Sequence, residues 1–427
     1  MVIGGPPQLP TNADYVFGFT RTGFCAVLID AYYAGGTDSI PGGPCQSVEA
    51  RCLLLSRDEF DPLGPVCRLE LGVRGLNEWA GLFPASMSFD TETHMLRNVR
   101  IDLDSQKDNR VLMDDSQMKI ELFHTLSSSP ISVEGVSIQH DCKLDIVFKV
   151  PVCFDDAIAT VDLLERFFSF CTEQHAEVVD LHLWFSGHET RVDCYYPFPS
   201  SQRETRGLDS REVPLSYAAF ENDIPIILKR WIDAEGGLET ARDIVSSFDA
   251  SKWSLPFSNT FVVASQALEA LTKHDVDIHS LDPQVYKSYR KTALASIANR
   301  EVREWAAMRL NGNNKGQSAL FNEFYERHSE VFEWLIPNGA NDFFQAQKAM
   351  RNSRIHPGGA RGDDLSSCKD IDVYWHTRCC ILLCKLVVAK LMGFEFDKVV
   401  DSLRYNNKWA GVIRHAREMY PSSCKEQ

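Results

Sequence analysis

Arg351 and His356 bracket the stretch Arg351-Asn352-Ser353-Arg354-Ile355-His356, and Pro357-Gly358-Gly359 follows at once. A histidine titrates near neutral pH and can move a ribose 2′-hydroxyl proton. An arginine stays charged and holds a phosphate through a forked pair of hydrogen bonds. An imidazole and a guanidinium at this spacing are therefore the two side chains needed to cut RNA without a metal ion. The same pair also fits a structural role, as a helix arginine followed by a histidine that caps the helix C-terminus.

Chemistry at this place requires elements that present both groups. The pattern predicts a helix over Asp342–Ile355 with Asp342 as N-cap, ended by Pro357-Gly358-Gly359 because proline disfavours helical geometry at the residue before it. Residues five apart on an ideal helix are offset by about 140°. Arg351 and His356 can then face one substrate only if the helix stops at Ile355 or a second subunit completes the site. At the helix C-terminus the dipole favours a protonated His356 ring, which suits an acid at least as well as a base. Lys348, Arg354 and Arg361 could grip an RNA backbone, or simply form a solvated basic face. Glu269, on the apolar helix Phe261–Leu271, could orient Arg351 through a salt bridge or face solvent.

Helical periodicity extends over the whole second half. The expected helices are Leu215–Glu235, Leu238–Phe248, Phe257–Lys273, Pro283–Arg309, Ser318–Leu335, Asp342–Ile355, Asp370–Gly393 and Phe396–Met419. Phe321, Phe324, Phe332 and Trp334 read as core. The first half alternates instead. Leu69, Leu71 and Val73 share one face of a predicted strand, and 118–123, 143–150, 178–185 and 191–195 are further strands. A helix from Asp155 to about His175 interrupts them. The expectation is an α+β chain: a β-rich domain over 1–200, a polar linker at 201–213 lacking aromatics, and an all-α bundle over 214–427.

Composition narrows the functional classes. With 427 residues, 44% hydrophobic and 24% charged, the chain is long enough for two or three domains. The net charge of −15 is uneven: residues 1–213 hold 17 Lys+Arg against 32 Asp+Glu, whereas 214–427 hold 27 of each. The acidic half repels nucleic acid, so it suits solubility or docking of a partner, and RNA contact falls to the second half. The 13 cysteines form no zinc-type pattern, and Cys379, Cys380 and Cys384 read as core thiols. A reducing cytoplasm is the expected compartment. No secretory signal is expected, and Ile381–Phe394, which contains Lys385 and Lys390, is too short to span a membrane. No cofactor and no metal site is expected, and His182, His188 and His274 read as structural or exposed.

The second half resembles a HEPN domain, and the whole chain resembles ApeA-type anti-phage proteins. The likeness rests on the Arg351-Asn352…His356 hexad, on Phe261–Leu271 as the first core helix, and on Thr377–Gly393 as the helix after the motif. In the first half, Leu69-Glu-Leu-Gly-Val-Arg-Gly-Leu-Asn-Glu-Trp79 is similar to a strand and Leu-x-x-Trp segment of ApeA N-terminal domains. The resemblance implies a metal-independent endoribonuclease acting in abortive infection, with two protomers sharing one cleft. His356 would act as general base or acid, Arg351 would hold the phosphate, Asn352 would orient either, and the products would end in 2′,3′-cyclic phosphates. It also implies cellular RNA, tRNA loops above all, as substrate, and a phage-encoded trigger acting on the N-terminal domain. The rival from another class is a non-catalytic HEPN-type module that only dimerises and docks partners.

Overall fold

The computed structural model describes residues 12–37, 45–81, 85–89, 96–101, 109–128, 138–196, 210–250, 257–310, 312–355, 370–404 and 406–420. The chain divides into two compact units, Met1–Ile232 and Asp233–Gln427. The first is built on an antiparallel sheet and the second is helical, as the alternation and the helical period respectively require.

The strands of the first unit are β1 Asn12–Phe19, β2 Cys25–Thr37, β3 Cys45–Ser56, β4 Val66–Val73, β5 Ala85–Phe89, β6 Leu96–Ile101, β7 Arg110–Asp114, β8 Met118–Ser128, β9 Ile138–Val152, β10 Val178–Phe185 and β11 Val192–Tyr195. Nine of them form one sheet in the order β1-β2-β3-β11-β10-β4-β9-β8-β7, while β5 and β6 pair separately. Register puts Leu69 opposite both Ile146 and Leu183, and Ile120 opposite Ile146. All four are fully buried, so they build one apolar face. Its cover includes α1 Leu76–Ala80 and α2 Phe154–Thr172, which bring Trp79 edge-on to Phe167 and Phe168. The opposite parity carries charge. Lys143 bridges Glu70 and Asp180, and Arg68 meets Asp145.

The first unit runs further along the chain than the predicted boundary at residue 214. A 3₁₀ turn at Ser210–Glu212, then α3 Tyr217–Phe220 and α4 Ile224–Ile232, pack with the sheet unit. Two indole N–H groups account for this: Trp79 donates to the Leu215 carbonyl at 2.8 Å and Trp231 to the Leu163 carbonyl at 3.0 Å. The single helix expected over 215–235 is two.

The second unit contains α5 Gly236–Ala250, α6 Phe257–Asp275, α7 Pro283–Ala295, α8 Arg300–Arg309, α9 Gln317–Arg327, α10 Ser329–Leu335, α11 Ala340–Ile355, α12 Asp370–Met392, α13 Phe396–Arg404 and α14 Asn407–Met419. From Cys379 to Ala389 helix α12 is buried on every side and apolar except for Lys385, with α5, α6, α13 and α14 against it. Gly393, at φ 100°, ends it. The predicted helix 283–309 is interrupted because Asn299 caps α8 by accepting from Val302 N–H. Of the four expected core aromatics, Phe321, Phe324 and Phe332 are buried. Trp334 is half-buried, edge-on to Phe396.

Candidate active site

Helix α11 carries the motif. It starts at Ala340, so Asp342 lies in the first turn and is not the N-cap. Gly339 precedes it where a Cβ would lie 2.5 Å from both Cβ and O of Tyr420, a close approach that only glycine permits. Apolar residues Phe261, Met350 and Val373, with Ala346, pack α11 between α6 and α12.

The Arg351 guanidinium Nη2 lies 2.7 Å from Glu269 Oε1 on α6, with side chains 33% and 25% exposed. The alternative left open by sequence, a solvent-facing Glu269, is thus replaced by an ion pair. A guanidinium has five N–H donors, so this contact leaves others for a ligand. One turn earlier on the same helix faces, Gln347 Nε2 donates to Ser265 Oγ at 2.8 Å. Helices α6 and α11 are therefore joined by two polar rungs spaced four residues apart, the inner one buried and the outer one half-exposed.

The inner rung continues into the core. His376 Nε2–H donates to Gln347 Oε1 at 2.6 Å, the Tyr420 hydroxyl donates to His376 Nδ1, and Ser265 Oγ donates to the Phe261 carbonyl. Burial pushes the His376 imidazole down to about 3, so it is neutral and its tautomer is set by these partners. Sequence reasoning passed over Ser265, Gln347 and His376. Their types are ordinary for helices, and only the packing of three helices brings them together.

Lys348 is exposed on α11. Asn352 and Arg354 lie on the last helical turn described, and nothing is described of their side chains. His356 and Arg361 lie outside the described residues. Glu269 also lines an open groove of about 450 Å³ between α5 and α6, beside Gln266, Lys273 and His274. Gly237 allows the two helices to approach there, since a Cβ would sit 2.4 Å from the Ala270 carbonyl oxygen. A half-exposed arginine held from behind by a carboxylate, beside a groove, can bind a phosphate. The described residues do not include the histidine that would move the proton.

Residues 263–398 match the Apea-like HEPN family, a span that contains Ser265, Glu269, Gln347, Arg351, His356 and His376. HEPN domains are generally ribonucleases that bind RNA and often dimerise, so the helical unit belongs to a nuclease-like class. Residues 8–231 match the ApeA N-terminal domain 1 family, and the chain belongs to the ApeA family, a membership that suggests a nuclease-like anti-phage role. No curated protein and no solved structure matches the chain. No helix among the described residues is long and apolar enough to cross a membrane.

Proposed function

We propose that this protein is a metal-independent endoribonuclease of cytoplasmic anti-phage defence, cutting cellular RNA, above all tRNA loops, through Arg351, Asn352 and His356. The observation that carries the proposal is the outer rung: Glu269 holds Arg351 half-exposed on the helix that leads into His356. Arg351 grips the scissile phosphate with the donors that Glu269 leaves unused and offsets its developing charge. His356 moves the proton at the 2′-hydroxyl or the 5′-oxygen. Asn352 orients one of the two groups, and Lys348, Arg354 and Arg361 hold flanking phosphates. The carboxylate of this set, Glu269, is engaged by Arg351, which favours cleavage through the 2′-hydroxyl over metal-bound water. Single-stranded loops suit this chemistry because unstacked nucleotides can rotate into line. Two protomers share the cleft, and the acidic sheet unit takes the phage trigger.

The test is the chemistry of the cut ends. Purified protein with added chelator should yield fragments ending in 2′,3′-cyclic phosphate. Arg351→Ala and His356→Ala should each lower cleavage by about 10² or more while folding and dimerisation persist. Cleavage unchanged in both variants, or 3′-hydroxyl ends, would overturn the proposal in favour of the non-catalytic module or of a metal-dependent nuclease.

A further inference from the structure

We propose that His124, His140 and Cys142 in the sheet unit form a zinc site. The two strands are in register with His124 opposite Cys142, and His140 follows two residues along β9 from Cys142 on the same face. That face is the buried one. Along β9 the inward row runs Phe148, Ile146, Leu144, and along β8 it runs Met118, Ile120, Leu122, all buried apolar residues. The next inward positions are Cys142 and His140 on one strand and His124 on the other. Three soft or borderline donors thus stand together where the pattern calls for aliphatic side chains.

Their spacing is that of a coordination sphere. His124 Nδ1 lies 2.9 Å from His140 Nε2 and 3.4 Å from Cys142 Sγ, and Cys142 Sγ lies 4.0 Å from His140 Nε2. Tetrahedral zinc with ordinary Zn–N and Zn–S bonds sets its donors about 3.3 Å (N to N) and about 3.6 Å (N to S) apart. A triangle of the observed sides has a circumradius of about 2 Å, so an ion just off its plane reaches all three donors at bonding distance. Without an ion, the two imidazoles can share only one hydrogen bond between those nitrogens. The donor set, two nitrogens and one sulfur, is one that zinc accepts and that magnesium and calcium do not.

The backbone around the donors is also fixed. Asn77 of α1 donates through Nδ2 to the His140 carbonyl at 2.9 Å and accepts at Oδ1 from Cys142 N–H at 2.6 Å. One side chain therefore holds the strand segment that carries two of the three donors, the kind of outer support that metal ligands have. On binding, the thiol proton passes to solvent, the sulfur–zinc bond forms, and water completes the fourth position. The spacing His-x15-His-x-Cys matches no zinc-finger pattern, because strand pairing, not sequence proximity, assembles the site.

The full chain, stripped of metal, would be titrated with cobalt chloride and then with zinc chloride. One equivalent of cobalt should give the intense visible bands of a tetrahedral ion and a near-ultraviolet thiolate band, and one equivalent of zinc should bleach both. Cys142→Ser should remove the thiolate band, His124→Ala and His140→Ala should each weaken zinc by more than tenfold, and Asn77→Ala by about tenfold. Cys153→Ser, at an exposed cysteine of the same unit, should leave the spectrum unchanged. Absence of the thiolate band in the parent protein, its persistence in a folded Cys142→Ser, or unaltered zinc affinity in the histidine variants would overturn the proposal. The parent's cobalt spectrum needs no substitution, so it decides the question even where the variants do not fold.

Discussion

Asp249 and Glu269 both hold cations between helices of the second unit, in opposite surroundings. Asp249 on α5 takes Lys385 of α12 at 2.7 Å and Lys408 of α14 at 2.8 Å, and the Asp249 and Lys385 side chains are only 3% and 4% exposed. Glu269 takes one cation, Arg351, at the same distance, but that pair is a quarter to a third exposed and lies beside a groove. Burial turns the first cluster into a structural tie, because a buried charge left alone is costly. Exposure makes the second cheap to rearrange, since solvent screens it. The same carboxylate–cation chemistry thus fixes three helices in one place and leaves a guanidinium partly exposed in the other.

Substitution separates the two roles. Asp249→Ala leaves Lys385 buried without its carboxylate and should cost about 3–5 kcal/mol, read as a lower urea midpoint. Arg351→Ala, which should remove cleavage, should change stability by no more than about 1 kcal/mol. An Asp249→Ala protein as stable as the parent would break the contrast. The double variant Asp249→Leu/Lys385→Met, nearer neutral than Asp249→Ala alone, would sharpen it.

Lys385 also shows what sequence could and could not reveal. Its place in an apolar helix argued against a membrane span, but its partner lies 136 residues earlier and is invisible to any local pattern. Strands β4, β8, β9 and β10 were legible because one face of each is apolar. Strands β1 and β2 were not, since Phe17, Phe19, Tyr32 and Tyr33 face outward and blur the alternation. The break between α7 and α8 was signalled by Asn299, a cap residue overlooked inside a long helical period. Within the site, Arg351 and Glu269 could be named because a motif and an apolar helix frame them. Gln347 and His376 become partners only after α11 and α12 pack, and the His124–Cys142 contact exists only through strand register.

The inner rung makes a pH prediction. His376 is neutral in the fold and titrates at about 3, while an unfolded histidine titrates near 6.5. Its folded value is depressed, so below pH ~6.5 the unfolded chain binds a proton that the fold refuses, and stability falls as pH drops from ~6.5 towards 3. At pH 5 the loss from this residue is about 2 kcal/mol. Burial alone would raise the Asp249 carboxyl, but Lys385 and Lys408 outweigh it and hold the group below its usual range. Its stabilisation is present above the unfolded value near 3.9 and fades only as pH falls through the lower folded one. The two windows separate: between pH 6.5 and 4.5, His376→Gln should flatten the measured stability slope and Asp249→Asn should not. An unchanged slope in His376→Gln would remove the neutral imidazole from the account.

The smallest effect expected is on stability in Glu269→Gln, and it isolates what the outer rung does. The amide keeps the shape and one acceptor, so stability should shift by less than about 1 kcal/mol. Arg351 loses its counter-charge yet keeps its own, so the variant should bind RNA as the proposed function requires of the parent. If Glu269 only anchors α6 to α11, kcat and KM should both stay at parent values. If it positions the guanidinium, kcat should fall with KM little changed, because the interaction lost is one made in the transition state. Glu269→Asp, which retains charge but is one methylene short, should then recover less than the parent's rate and fail in proportion to that misplacement. A kcat unchanged in all three proteins would reduce the outer rung to a helix contact and leave Arg351 to find the phosphate unaided.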